Sequence, residues 1–129
     1  MAIELTMLAW SAALGLAQIM LAAAFVTRER GLAWNAGARD SVLPPPSGVA
    51  GRLDRASRNF LETFPFFAAA VLAVMAAGVA DERTAFGAQL YFWARLVYVP
   101  LYAAGVPYVR SIAWVASIAG LLMVLNRLF

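Results

Sequence analysis

The chain has 129 residues, 64% of them hydrophobic and only 13% charged, with a formal net charge of +3 and a mean hydropathy of +0.77. So few charges cannot cover the apolar surface that a water-soluble domain of this composition would carry. Cysteine and histidine are both absent, which excludes disulfides, thiolate metal ligands, a protein thiol nucleophile and the commonest general base, and leaves no metal site to expect.

The apolar residues come in long runs. Leu5 to Thr27 contains no charge, Phe60 to Ala80 only Glu62, Thr84 to Ala104 only Arg95, and Ser111 to Phe129 only Arg127. A transmembrane helix needs about 20 such residues, so the pattern predicts four spans, over about 5–27, 52–80, 84–104 and 110–128. The expected fold is all-α: an integral membrane four-helix bundle in a single domain over 1–129. The first run differs from a signal peptide because it lacks a basic leader and is too long for an ordinary apolar core region; it is read as a retained helix.

The first predicted helix gives way to the segment Arg28 to Gly51, whose glycines and Pro44-Pro45-Pro46 predict an irregular connection. All ten basic residues are arginine, and six of them fall between Arg28 and Arg58. That is the distribution of a cytoplasmic loop under the positive-inside rule rather than of a nucleic-acid surface. GC-rich coding explains the arginine bias as well as any need for forked guanidinium donors does. With this loop inside, both termini face the other side. The turn at Arg110 returns to the cytoplasmic side, and Arg127 is left at a helix end on the less favoured side, where it can snorkel. Compactness and arginine bias suggest a bacterial inner-membrane protein.

The second predicted helix starts near Arg52 and enters the bilayer near Phe60. Arg55, Asn59 and Glu62 are spaced four and three apart, and so share one face. On a bland reading this is an interfacial helix end in which Glu62 merely pairs with Arg55 or Arg58. Gly78 to Asp81 predicts the end of this helix, with Asp81 capping the next. In the third helix Tyr91, Arg95, Tyr98 and Tyr102 again share one face, in a segment with little other polarity. A charged side chain among apolar residues costs a few kcal/mol or more unless it is paired or faces a polar cavity. The two polar stripes are therefore expected to face each other or a shared site near the cytoplasmic side. Four arginines and one acid call for an anionic ligand, with Glu62 left for an ammonium or an amide. Pro65 and Pro100 lie inside their helices, and Gly105 with Pro107 predicts the stop before the fourth.

The segments "RASRNFLETFP" and "ARLVYVPLYAAGVPYVRS" resemble the second- and third-helix signatures of the membrane-associated proteins in eicosanoid and glutathione metabolism. That family includes microsomal glutathione transferases, leukotriene and prostaglandin synthases and a non-catalytic lipoxygenase-activating protein. The resemblance covers the length, the four spans, the loop and the pattern at Arg55, Asn59, Glu62 and Pro65. It implies a homotrimer that binds glutathione as co-substrate near the cytoplasmic face between protomers, and a lipophilic small molecule or lipid arriving from the bilayer. By the same resemblance, Arg55, Asn59, Glu62, Arg95, Tyr98 and Tyr102 match the glutathione-binding set, and either Arg28 or Arg30 a further basic contact. Arg110 resembles the arginine that stabilises the glutathione thiolate, with Tyr98 or Tyr102 as a second donor. Two rivals remain at this stage: a non-catalytic lipid-binding or scaffold protein on the same fold, and a small transporter, which would need a continuous polar path.

Overall fold

A computed structural model describes residues 1–129. It contains five α-helices and no strand: α1 (Ile3–Arg30), α2 (Leu32–Ala36), α3 (Gly48–Ala77), α4 (Glu82–Ala103) and α5 (Pro107–Leu125), followed by a 3₁₀ turn over Asn126–Leu128. The segment between α1 and α3 departs from the expected irregular connection. α1 runs on through Arg30, the five-residue α2 follows at once, and α3 begins at Gly48, ahead of Arg52. Apart from Gly31, only the stretch between α2 and α3, which holds the three prolines, is non-helical, as expected where prolines cannot donate an N–H.

α1, α3 and the stretch Pro107–Leu128 are long and apolar enough to cross a membrane. α4, which the sequence pattern counts as a fourth span, has the length for it, about 33 Å at 1.5 Å per residue. Its composition is more polar, because it carries Glu82, Arg83, Gln89, Arg95 and three tyrosines. Much of that polarity is turned inward: Thr84, Tyr91, Arg95 and Tyr98 are all buried. α4 packs against α1, α3 and α5, which gives it fewer open faces on which apolar side chains are required.

The helix ends follow local chemistry. Gly78 closes α3 in the left-handed conformation (φ 68°). Asp81 accepts from the Thr84 N–H at 3.0 Å while the Thr84 hydroxyl accepts from the Asp81 N–H at 2.8 Å, a reciprocal cap on α4. Pro107 opens α5 at its first turn, where a missing N–H costs nothing. At the opposite end of the bundle from Pro107, Arg127 pairs with Asp81 at 2.8 Å. The Arg127 charge is thus met by a carboxylate of its own chain.

Packing between α4 and α5 depends on two glycines. A Cβ on Gly120 would stand 2.5 Å from the Gly87 carbonyl oxygen and 2.7 Å from the Tyr91 nitrogen, so the backbones touch there. Close approach at small residues is how helices gain dispersion energy where burial from water cannot drive association. The core beside this contact joins Met7, Phe60, Phe67, Val71, Val74, Tyr91, Phe92, Leu121 and Val124. Tyr91 stacks on Phe67 with ring centroids 4.0 Å apart, and its hydroxyl meets that of Thr63 at 3.0 Å. The first member of the tyrosine stripe is therefore a core residue, and the polar face of α4 proper begins at Arg95.

Candidate functional site

The end of the bundle where α1 and α4 finish and α3 and α5 begin carries the candidate site. Helix ends leave carbonyls without intrahelical partners, and Arg52 on the first turns of α3 donates from Nε to one of these, Ala103 O, at 2.8 Å. This fixes the start of α3 against the end of α4. One turn further, Arg55 donates from Nε to the Tyr102 hydroxyl at 3.2 Å, and its guanidinium stands 5.9 Å from the centre of that ring. Arg110, on the first turn of α5, lies 4.3 Å from the same ring centre. Tyr102 is thus bracketed by two cations from two helices, an arrangement in which the negative ring face offsets part of their repulsion. Tyr98 meets Tyr102 edge to face at 5.6 Å.

Beneath this layer sits Arg95, with no exposed surface at all. Its Nη2 donates to Asn59 Oδ1 at 2.9 Å, and its guanidinium lies 4.5 Å from the Tyr98 ring centre and 5.5 Å from that of Phe60. Its Nε and Nη1 are buried without a partner. Arg95, which the resemblance puts in the glutathione-binding set, is buried here, and its one hydrogen bond runs to the half-buried Asn59.

Glu62 is exposed. The pairing with Arg55 or Arg58 that a plain interfacial helix end would show does not form: Arg58 pairs with Asp54 at 3.1 Å instead, and Arg55 is turned to Tyr102. Asn59 and Glu62 therefore present an amide and an uncompensated carboxylate on the same outer face of α3, beside the two arginines.

Arg28 and Arg30 lie apart from the tyrosines. Arg28 is exposed. Arg30 donates to Pro44 O at 2.6 Å and stacks on Trp34 at 4.7 Å, while Arg39 covers the same ring at 4.5 Å. Glu29 accepts from the backbone N–H and the hydroxyl of Ser47, which ties the loop's return to the end of α1. Together these contacts wall a cleft of about 790 Å³ between α1, the loop and α3. Ile19, Ala23, Val26 and Leu61 make it apolar on one side, and Arg30, Arg39, Arg55 and Arg58 make it basic on the other. Sequence reasoning missed Trp34 and Arg39. The available signal was a tryptophan flanked by arginines four residues before and five after. Gly51 lets the loop close over α3, since a Cβ there would clash with the Pro46 carbonyl. Arg55 borders both the cleft and the tyrosine cluster.

Long apolar helices with a basic, phenolic end that also offers one free carboxylate define the class: a multi-pass helical membrane protein with a polar side-chain cluster at one end of its bundle. Residues 7–129 match the model of the MAPEG family, and the chain belongs to that family. It is accordingly a membrane protein of eicosanoid and glutathione metabolism. No curated protein and no solved structure matches the chain.

Proposed function

We propose that this protein is a glutathione-dependent membrane transferase or peroxidase acting on a lipophilic electrophile through an arginine-stabilised thiolate. The observation that carries this reading is the convergence of Arg55 and Arg110 on Tyr102 beside the unpaired Glu62. Glutathione carries two carboxylates, one ammonium and its own thiol. The cations suit the carboxylates and a thiolate, and Glu62 suits the ammonium. The chain has no cysteine or histidine, so the nucleophile has to arrive with the small molecule.

A free alkyl thiol has a pKa near 8.5 and is only a few per cent ionised at pH 7. A fixed guanidinium beside the sulfur favours the anion, with the proton released to solvent. Arg110, at the turn into α5, is the residue assigned to this task, and the Tyr98 or Tyr102 hydroxyl supplies a second donor. The thiolate then forms a carbon–sulfur bond with the electrophile as the electrophile's leaving group departs with its electron pair. With a hydroperoxide it attacks the outer oxygen, and the O–O bond breaks to release the alcohol. A second glutathione then converts the oxidised sulfur to glutathione disulfide and water. A lipophilic co-substrate would reach the site laterally from the bilayer, as the apolar flank of the α1–α3 cleft favours. In this reading the Arg-rich loop is cytoplasmic in a bacterial inner membrane, and three copies assemble with the site between them. Arg28, exposed on the last turn of α1, would then be free to serve a neighbour's site, whereas Arg30 would have to leave Pro44 and Trp34 to do so.

Titration calorimetry and thiolate absorbance of the detergent-solubilised protein with glutathione test this directly. Binding accompanied by a thiolate signal near neutral pH, in a particle of three copies by native mass spectrometry, is the expected result. Binding of lipid without any glutathione response would instead support a non-catalytic scaffold.

A further inference from the structure

Arg95 is an expensive residue where it stands. It is fully buried in the middle of α4, no carboxylate pairs with it, and two of its three guanidinium nitrogens have no partner. Buried donors left unsatisfied cost stability, and an apolar side chain of similar volume would fill the same space between Phe60 and Tyr98 without that cost. Packing alone therefore does not account for it. Its single hydrogen bond runs to Asn59.

That bond has a directional consequence. A guanidinium is a donor only, so the Asn59 atom that meets it has to be the carbonyl oxygen. The NH₂ of the same amide then points the other way. The rings of Tyr98 and Phe60, 4.5 and 5.5 Å from the guanidinium, hold it in place, and through it the amide is held against flipping. From this geometry we infer that Arg95 is a positioning residue that fixes Asn59 as a hydrogen-bond donor toward the ligand, so that the group of glutathione seated at Asn59 is a carboxylate or carbonyl oxygen. The outer face of α3 then reads, from Arg55 through Asn59 to Glu62, as donor, donor, acceptor. This rests on the glutathione reading above and adds the polarity of one subsite to it.

The test compares glutathione affinity at pH 7 and melting temperature in detergent for the parent protein, Asn59→Asp, Asn59→Leu, Arg95→Lys and Arg95→Met. Asn59→Asp keeps an oxygen on Arg95 but removes both donors, so affinity is expected to fall about tenfold or more, the loss of a hydrogen bond to a charged group, while the melting temperature holds or rises. Arg95→Met should weaken binding, and Arg95→Lys, which can still donate to the amide oxygen, should restore most of it. The thiolate signal per bound glutathione should stay unchanged in both. Parent-like affinity in Asn59→Asp would overturn the inference, as would parent-like affinity in Arg95→Met. A loss in Arg95→Lys as deep as in Arg95→Met would also overturn it. If Arg95→Met does not fold, Asn59→Asp decides alone. If the parent binds no glutathione, the function fails, but the pairing is still tested by melting: Asn59→Asp should lie at or above the parent and Asn59→Leu below it, and the reverse order would refute it.

Discussion

Arg110 stands 4.3 Å from the centre of the Tyr102 ring, although the two residues belong to different helices separated by a turn. The contact places a cation from the start of α5 over the phenol that Arg55 already holds from α3. Arg110→Ala should therefore remove thiolate absorbance from bound glutathione near neutral pH and slow conjugation of a chlorodinitrobenzene. The rate loss is expected to be about tenfold for each unit by which the thiol pKa rises back. Much of the affinity should survive through Arg55 and Glu62. A variant that keeps both signal and rate would reduce Arg110 to a turn charge.

Glu62→Gln should weaken glutathione binding by about tenfold or more, the range of a hydrogen bond to a charged group. Asp81→Asn, at the opposite end of the bundle, should leave it unchanged. The expectation follows from Glu62 having no cation of its own chain while Arg58 is committed to Asp54. Calorimetry on the two variants side by side gives the answer, and equal affinities would return Glu62 to the role of a surface charge.

Gly120→Ala should destabilise the fold by about 1–3 kcal/mol, the usual cost of overpacking. The added methyl would lie 2.5 Å from a carbonyl oxygen and 2.7 Å from a backbone nitrogen, neither of which can rotate away as a side chain would. A lower melting temperature in detergent is the expected outcome. An unchanged one would mean that α4 and α5 do not touch at this point.

Asp81 supplies a pH-dependent element. The Thr84 backbone N–H, with the Arg127 guanidinium, holds its carboxyl below the usual carboxylate range. A group whose pKa is lowered on folding contributes stability while ionised and loses it as pH falls through the folded-state value. Asp81→Asn keeps a helix-capping side chain but loses the charge that meets Arg127. The melting temperature of the variant should thus lie below that of the parent at pH 7, with the gap closing below about pH 4, where carboxylates protonate. A gap that stayed constant down to acid pH would point to shape rather than charge.

The sequence by itself determined what depends on composition and on spacing along one helix. Apolar runs of span length define the helical class, Gly78, Asp81 and Pro107 define where helices stop and start, and intervals of three and four residues place Arg55 with Asn59 and Glu62. Those signals are local, and local geometry is shared by all α-helices. Which stripe members are buried and which lie at the open end of the bundle was decided only by packing. Tyr91 and Arg95 occupy one face of α4 with Tyr98 and Tyr102, yet Phe67 and Thr63 draw Tyr91 into the core, and Asn59 holds Arg95 inside. The choice of Asp54 over Glu62 as the partner of Arg58 was likewise legible only once side chains were placed, because a helix offers both spacings equally. The loop escaped the reading for the same reason: stacking on Trp34 brings Arg30 and Arg39 together, and contacts between distant residues leave no periodic trace in a single chain.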